Sequence, residues 1–284
     1  MSDKKIMVVT DSSASLPPEM ADKLGIRIIP LWLIWDEQSF LDGVDIDPHT
    51  FYQRLKDSKT LPSSTQPTAM EFKALFETLA GECAGIVCVL ASSKISGTVD
   101  SACAAREFSP VPVEVVDSGF SAMGQGLIAI SAARAAAAGA SLAEVAAAAE
   151  KIRDAVHLLF VVDTLEYLHK GGRIGKAQAL MGTLLRIKPL IGTGNGEVQP
   201  KGKARTQKKA LTRLFEMTQE FGEIEDLTIA HSTIPEEAAA FTERLSPVFE
   251  KDKIYQSRIG PVIGTYLGPG SIAIGIIEKS SQSS

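Results

Sequence analysis

Hydroxyl and carboxyl side chains cluster at four places in the first half of the sequence, at residues 10–13, 63–68, 92–98 and 117–118. The segments at 63–68 and 92–98 run directly into predicted helices. Hydroxyl groups and the free N–H groups of a helix start both donate hydrogen bonds to anions. Several such loops facing one crevice would hold the acid group of a small molecule.

The simpler interpretation of each segment is helix capping, since Ser, Thr and Asp before a helix accept hydrogen bonds from its first N–H groups. Thr68 followed by Glu71 fits a capping box, so we assign Thr68 to capping. Ser12 or Ser13 could serve either purpose. The convergence of several loops, and no single loop, is what favours a binding site.

Enzymatic chemistry has weaker support in the sequence. None of the four histidines lies in a GxSxG, HExxH, P-loop or dinucleotide-binding motif. His231 follows a predicted strand and could line a crevice, while Asp11 and Asp117 end strands and could bind Mg²⁺. Structural roles are more common for such residues. An enzyme that acts on a small acid or phosphorylated metabolite through Asp11 or His231 is therefore the alternative function.

Two basic features could contact a partner. One is the cluster between Lys201 and Lys209, which includes Arg205 at the start of a predicted helix, and the other is Arg173 in a glycine-containing loop. A solvated surface explains both, but an exposed, adaptable loop mildly favours a contact surface. Arg173 is thus a possible partner-docking residue.

The elements that must position these residues are typical of an α/β protein. Strand patterns alternate with helical patterns in the first half, at residues 6–10, 26–35, 85–90 and 111–116, which predicts a mostly parallel sheet covered by helices. Ligands of such sheets bind beyond the carboxyl ends of the strands, where most of the hydroxyl segments lie. The alanine-rich residues 131–149 predict two closely packed helices, interrupted at Gly139.

The second half predicts a smaller mixed sheet with helices. After a strand at 157–162, which ends the first lobe, we expect an apolar helix at 174–185, a hairpin turn at 194–196, a helix at 205–221, and strands at 187–191, 227–230, 253–259 and 272–277. A domain boundary near residue 160 would give an N-terminal lobe of residues 1–160 with the hydroxyl-rich loops and a C-terminal lobe of residues 161–284.

Composition narrows the class of protein. The chain has 284 residues, 45% of them hydrophobic and 22% charged, and a net charge of -5, so no basic footprint suggests nucleic-acid or membrane-surface binding. The three cysteines lack the spacing of a disulfide framework or a zinc site. No signal-peptide pattern and no run long enough to span a bilayer is present, so we expect a cytoplasmic protein without metal or cofactor.

The sequence resembles the DegV family, whose members include the fatty-acid-binding subunits of bacterial fatty acid kinase. The resemblance covers almost the full chain and rests on several segments together, at residues 9–12, 62–67, 92–98, 117–118, 165–174 and 268–270. It implies a two-domain α/β protein that buries a long-chain fatty acid in a tunnel, which the C-terminal lobe covers. It also implies that the carboxylate is presented to a separate kinase, so that the chain itself is a carrier and not an enzyme.

The family motifs also imply site residues. Ser64 takes the position of the family's threonine before S-Q-P, with Thr65 beside it, and Ser96 is the serine of the S-G-T segment, with Ser93 in reserve. Arg205 resembles the basic residue that approaches the head group from the second lobe.

Two departures from the family pattern affect these expectations. Residues 63–67 read S-S-T-Q-P, which preserves a hydroxyl, and Tyr266 stands where many members have histidine. Tyr266 therefore joins the candidate carboxylate-binding residues without an ionisable imidazole. A lipid-sensing interaction protein without any kinase is the third interpretation.

Overall fold

The computed structural model describes residues 5–182 and 187–279. Its strands are β1 (Ile6–Asp11), β2 (Ile26–Ile29), β3 (Trp32–Trp35), β4 (Gln38–Leu41), β5 (Ser63–Thr65), β6 (Gly85–Leu90), β7 (Val113–Asp117), β8 (Val156–Val161), β9 (Lys188–Gly194), β10 (Glu197–Ala204), β11 (Ile224–His231), β12 (Tyr255–Arg258) and β13 (Ile272–Glu278). Its α-helices are α1 (Pro18–Leu24), α2 (Pro48–Asp57), α3 (Ala69–Leu79), α4 (Thr98–Arg106), α5 (Ala122–Ala137), α6 (Leu142–Arg153), α7 (Glu166–Lys170), α8 (Gln207–Thr218), α9 (Pro235–Leu245) and α10 (Pro261–Leu267).

The first sheet has the strand order β2-β1-β6-β7, and all its pairs are parallel. Every residue of β6 is buried, because helices cover both faces of the sheet. Phe72 and Phe76 of α3 join Leu90 in one buried cluster, and Leu127 of α5 joins Val89 in another. The predicted parallel sheet covered by helices is confirmed.

The second sheet is mixed and has the order β10-β9-β8-β13-β11-β12. Strands β11 and β12 are parallel, while the other neighbours are antiparallel. A mixed sheet with helices is confirmed, but it has six strands against four in the parallel sheet and is therefore not the smaller one. Part of the reason is that β8, expected at the end of the first lobe, pairs with β9 and β13. The boundary near residue 160 falls within β8, and the division into two domains stays a prediction.

Helix α5 lies between the two large sheets. Twelve of its 16 residues are buried, and its core cluster includes Val89 from the first sheet and Phe160 from the second. Small residues allow this close packing: a Cβ atom on Gly124 would lie 2.8 Å from the Phe120 ring. The prediction of two close-packed helices interrupted at Gly139 is confirmed by α5 and α6.

A third, antiparallel sheet with the order β4-β3-β5 was missed by the sequence analysis. The run at residues 26–35 is not one strand, because Pro30 lacks an N–H group and separates β2 from β3. Residues 63–65, expected in a loop, form β5 and pair with β3. The third sheet packs its Leu33 and Trp35 against Phe51 of α2.

The connection after α7 also differs from expectation. The helix predicted at 174–185 is a short 3₁₀ helix at Gly175–Leu180, and residues 183–186 lie outside the described residues. Gly175 has a positive φ of 51° and lies against the backbone of Val198, a position that favours glycine over an ordinary helix residue. The hairpin turn between β9 and β10 is confirmed, with positive φ at Asn195 and Gly196.

Candidate binding cavity

A cavity lies where strands of the second and third sheets and segments that follow strands of the first sheet meet α10. Its empty volume is about 840 Å³, counted together with its opening. Most of its wall is apolar, formed by Leu31, Ile95, Phe160, Leu168, Ile191, Val198, Val262, Ile263 and Leu267. A mostly apolar cavity with a few polar groups is the usual form of a small-molecule site.

Four polar side chains of the wall lie close together at the opening. Ser64 Oγ and Tyr266 Oη are 2.7 Å apart, and the Arg173 guanidinium lies 5.3 Å from the centre of the Tyr266 ring. Arg173 Nε donates to the carbonyl of Ile95 at 3.2 Å, next to Ser96. Arg173 and Ser96 also line an adjoining open depression. We call Ser64, Ser96, Arg173 and Tyr266 the mouth cluster.

Local structure explains how the mouth cluster comes together. Ser64 pairs with Leu33 in the third sheet, and α10 packs near this sheet and presents Tyr266. A Cβ atom on Gly171 would lie 2.5 Å from the Tyr266 ring, so glycine leaves room for the tyrosine beside Arg173.

The mouth cluster has more hydrogen-bond donors than the protein uses. Ser64 and Tyr266 have two hydroxyl protons and share one hydrogen bond. Ser96 Oγ and Thr98 Oγ1, 2.8 Å apart, likewise share one bond between two hydroxyls. Among the contacts of the described residues, each pair therefore has one proton free. Arg173 donates to backbone carbonyls through Nε and Nη1, and its Nη2 group makes no hydrogen bond to residues 5–182 or 187–279.

The start of helix α4 adds backbone donors beside Ser96. Gly97 is the N-cap residue of this nine-residue helix, and glycine has no side chain that could accept hydrogen bonds from the first N–H groups. A Cβ atom on Gly97 would lie 2.8 Å from Gln66 Nε2, so the loop packs closely against the segment after β5. The hydroxyls and N–H groups together suit an anion such as a carboxylate.

The other predicted carboxylate-binding residues lie apart from this cavity wall. Thr65 follows Ser64 along β5 and is exposed, because successive side chains of a strand point to opposite faces. Ser93 donates its hydroxyl to Asp117 at 2.5 Å. Arg205 is exposed and directly follows β10. Their predicted roles at the head group stay predictions.

The segment at residues 10–13 forms a second polar group, buried behind the cavity wall. Asp11 is fully buried and accepts hydrogen bonds from the N–H groups of Ser13 and Ala91 and from Gln125 Nε2. Ser13 Oγ lies 2.5 Å from Asp11 Oδ1 and lines the cavity. We call Thr10, Asp11, Ser13 and Gln125 the Asp11 cluster. Burial raises the pKa of Asp11, and these hydrogen bonds partly oppose the shift.

His231 and Asp117 lie outside the cavity wall. His231 ends β11 and lines a separate cleft with Asp42 and Arg258. Burial lowers the pKa of His231, and the charge of Arg258 lowers it further. Asp117 accepts hydrogen bonds from Ser93 and the N–H of Gly119, a turn-type arrangement. In residues 5–182 and 187–279, no group of three His, Cys, Asp or Glu side chains could hold a metal ion.

Two participants were missed by the sequence analysis. Gln125 lies in the first turn of α5, and the feature that could have identified it is an amide side chain within a mostly apolar, alanine-rich helix. Gly196, at the hairpin turn, lines the cavity and accepts a hydrogen bond from Ser92 Oγ at 2.8 Å, which ties the second sheet to the loop before α4. No pattern in the sequence pointed to this contact.

Similarity to known proteins decides the family. A family model described as "Uncharacterised protein, DegV family" matches residues 5–279. The chain belongs to the DegV family. Protein DegV of Bacillus subtilis is 36% identical over 274 residues, which cover 95% of this chain and 98% of that protein.

Solved structures of DegV proteins have the same fold. A fatty-acid-binding DegV family protein from Thermus thermophilus matches with a TM-score of 0.90 and 30% identity, covering 97% of this chain and all of that one. DegV from Bacillus subtilis, a fatty acid binding protein, matches with a TM-score of 0.87 and 34% identity over the same shares. These structural neighbours bind fatty acids. In the described part of this DegV chain, no helix is both long and apolar enough to cross a membrane.

Proposed function

We propose that this DegV protein binds a long-chain fatty acid in the cavity, with its carboxylate at the mouth cluster, and presents the carboxylate to a separate kinase. The observation that carries the proposal is the surplus of donors at the opening of an apolar cavity. A carboxylate accepts several hydrogen bonds and would use these donors, while an alkyl chain would contact the apolar wall. The related fatty-acid-binding proteins support the same ligand class.

The alkyl chain and the carboxylate of a fatty acid contribute differently to the free energy of binding. Burial of about fourteen methylene groups contributes roughly 11 kcal/mol before the loss of ligand freedom is subtracted. Each hydrogen bond to the charged carboxylate contributes about 1.5–3 kcal/mol. The tail therefore sets most of the affinity, and the mouth cluster sets the orientation of the acid.

Native mass spectrometry of the purified protein tests the ligand. We expect a long-chain fatty acid at one per chain, released on denaturation and identified by its mass. Protein that is stripped of lipid and refolded should take up hexadecanoic acid again. Failure to take it up, together with co-purification of a phosphorylated or polar metabolite, would overturn the proposal and favour the alternative enzyme.

The position of the mouth cluster supports the proposed kinase step. Ser96 and Arg173 line both the cavity and the open depression, so a carboxylate held there remains accessible from outside. A partner kinase would transfer the γ-phosphoryl group of ATP to the carboxylate, which gives an acyl phosphate and ADP. We assign Arg173 to the surface that such a kinase contacts, since its side chain is exposed.

Acyl phosphate formation tests the kinase step. The loaded protein is mixed with ATP and a fatty acid kinase homologue from the same cell, and the product is trapped as the hydroxamate. Ser96→Ala should still bind lipid but lose phosphoryl transfer, whereas the exposed Ser39→Ala on β4 should behave as wild type. Transfer at the normal rate by Ser96→Ala would show the assignment of Ser96 to be wrong. Lipid binding without transfer by wild type would favour a lipid sensor.

A further inference from the structure

The hydrogen bonds of Ser13 need one more proton than its hydroxyl supplies. Ser13 Oγ lies 2.5 Å from Asp11 Oδ1 and 2.9 Å from Gln125 Oε1. A hydroxyl has one proton and can donate to only one of these oxygens. The amide oxygen of Gln125 has no proton, so the second proton must lie on the Asp11 carboxyl if both contacts are hydrogen bonds.

Reversing the amide group of Gln125 does not remove this requirement. Its oxygen would then face Asp11 Oδ2 at 2.9 Å and Thr10 Oγ1 at 3.0 Å. The Thr10 hydroxyl already donates to the carbonyl of Val89 at 2.7 Å. Asp11 would again have to supply a proton, so either orientation of the amide calls for a protonated carboxyl.

We propose that Asp11 is a neutral carboxylic acid that positions Ser13 as a hydrogen-bond acceptor in the cavity wall, which leaves the ligand carboxylate to the mouth cluster. The Asp11 O–H donates to Ser13 Oγ, and the Ser13 hydroxyl donates to Gln125 Oε1. Ser13 then has no proton for a ligand, although it lines the cavity. Asp11 is a positioning residue, and this role rests on the proposed fatty acid binding.

The surroundings of Asp11 favour the neutral form. Full burial raises the pKa of its carboxyl. Asp42 is the titratable group of the described residues that is coupled to Asp11, since a charge on Asp11 raises the pKa of Asp42. Strand β6 and its extension contribute the carbonyl of Val89 and the N–H of Ala91, and α5 contributes Gln125, none of which has a charge. A negative charge at Asp11 would also oppose a carboxylate in the adjacent cavity.

The protonation state of Asp11 has a direct spectroscopic signature. The infrared spectrum of lipid-free wild type at pH 8, minus that of Asp11→Asn, should contain the C=O stretch of a protonated carboxyl. At pH 8 most of Asp42 is ionised, since burial raises its pKa to about 7. A carboxylate band in its place would overturn the proposal. If Asp11→Asn does not fold, the protonation state of Asp11 is measured by ¹³C NMR of aspartate-labelled wild type at pH 8. The Asp42→Asn variant then assigns the signal of Asp42.

The acceptor role of Ser13 is tested by the ratio of affinities for hexadecanoic acid and 1-hexadecanol. Ser96→Ala should reduce this ratio about tenfold or more, since it removes a donor to a charged group. Ser13→Ala should change both affinities by the same factor, within about twofold, because its hydroxyl makes no bond that is specific to the carboxylate. An equal loss of the ratio in both variants would overturn the role of Ser13.

The two experiments separate this inference from the proposed function. If neither the acid nor the alcohol binds to wild type, fatty acid binding is wrong, but the infrared spectrum still decides whether Asp11 is neutral. If both bind and the carboxylate band of Asp11 is found, fatty acid binding stands and the inference about Asp11 is wrong.

Discussion

The Asp11 cluster and the mouth cluster are made from the same kinds of side chain but differ in how completely their hydrogen bonds are used. In the Asp11 cluster, Thr10, Ser13 and Gln125 are all engaged with buried partners. In the mouth cluster, two pairs of hydroxyls each share a single bond. Closed networks stabilise a fold, whereas unused donors at a cavity can hold a ligand. The difference predicts that substitutions in the first cluster act mainly on stability and substitutions in the second mainly on binding.

The largest expected effect is on folding, through Asp11→Ala. The substitution leaves the buried N–H of Ala91 without its acceptor and removes one hydrogen bond each from the side chains of Ser13 and Gln125. We expect a loss of about 3–5 kcal/mol in the free energy of unfolding, measured by denaturant titration.

Asp117→Ala is the matched control for that experiment. Asp117 also ends a strand of the parallel sheet and also lies 2.5 Å from a serine hydroxyl, but its partner Ser93 is exposed. Water can replace the lost bonds there, so about 1 kcal/mol or less should be lost. Equal losses in the two variants would mean that burial does not distinguish the two aspartates.

The second-largest expected effect is the contribution of Asp11 to the pH dependence of the free energy of unfolding. Its pKa is raised in the folded protein, so above about pH 4 the folded state keeps a proton that the unfolded state has released. The contribution of Asp11 to the free energy of unfolding should therefore fall as the pH rises, by up to about 1.4 kcal/mol per pH unit, until the folded state also ionises.

Comparison with Asp11→Asn isolates this contribution. Both proteins are compared in an Asp42→Asn background, because the pKa of Asp42, which burial raises to about 7, also responds to the charge of Asp11. The difference in stability between wild type and Asp11→Asn should shrink steadily from pH 5 upward. A difference that stays constant over this range would indicate an ionised Asp11 and would remove the main contrast between the two clusters.

The sequence predicted the parallel sheet, and all four residues of the mouth cluster were named as candidates, Ser64, Ser96 and Tyr266 for the carboxylate and Arg173 for partner docking. Strand periodicity and helix caps are local, so β6 and the cap at Thr68 could be predicted from neighbouring residues. Ser96 follows the carboxyl end of β6, where loops of parallel sheets meet ligands. Ser64 was named from the family motif, although it lies in a strand of a sheet that was not foreseen.

The arrangement of these residues, in contrast, depended on contacts between distant parts of the chain. Tyr266 lies 202 residues from Ser64, and their hydrogen bond follows from the packing of α10 near the third sheet. Gln125 lies 114 residues from Asp11, inside a helix enclosed by two sheets. A pattern of neighbouring residues does not encode which helix side chain will meet a given strand end. The sequence therefore could not show that the hydrogen bonds of the Asp11 cluster are fully used and that those of the mouth cluster are not.

The smallest expected effect is that of Tyr266→Phe, which tests the unused hydrogen-bond donors of the mouth cluster. The substitution keeps the ring under Arg173 but removes the hydroxyl that pairs with Ser64. Ser64 remains as a donor, so affinity for hexadecanoic acid should fall only about fivefold, which corresponds to about 1 kcal/mol. Displacement of a fluorescent fatty acid measures this change.

Tyr255→Phe is the matched control, because its hydroxyl accepts a hydrogen bond from Arg134 at 2.7 Å and its side chain does not line the cavity. The two variants should separate the two kinds of polar contact. Tyr266→Phe should weaken binding with little change in the free energy of unfolding, and Tyr255→Phe should lower stability without weakening binding. If Tyr266→Phe instead lowered stability by as much as Tyr255→Phe and left binding intact, the mouth hydroxyls would be a closed structural network like that of Asp11. The distinction between used and unused protons would then not mark the head-group site.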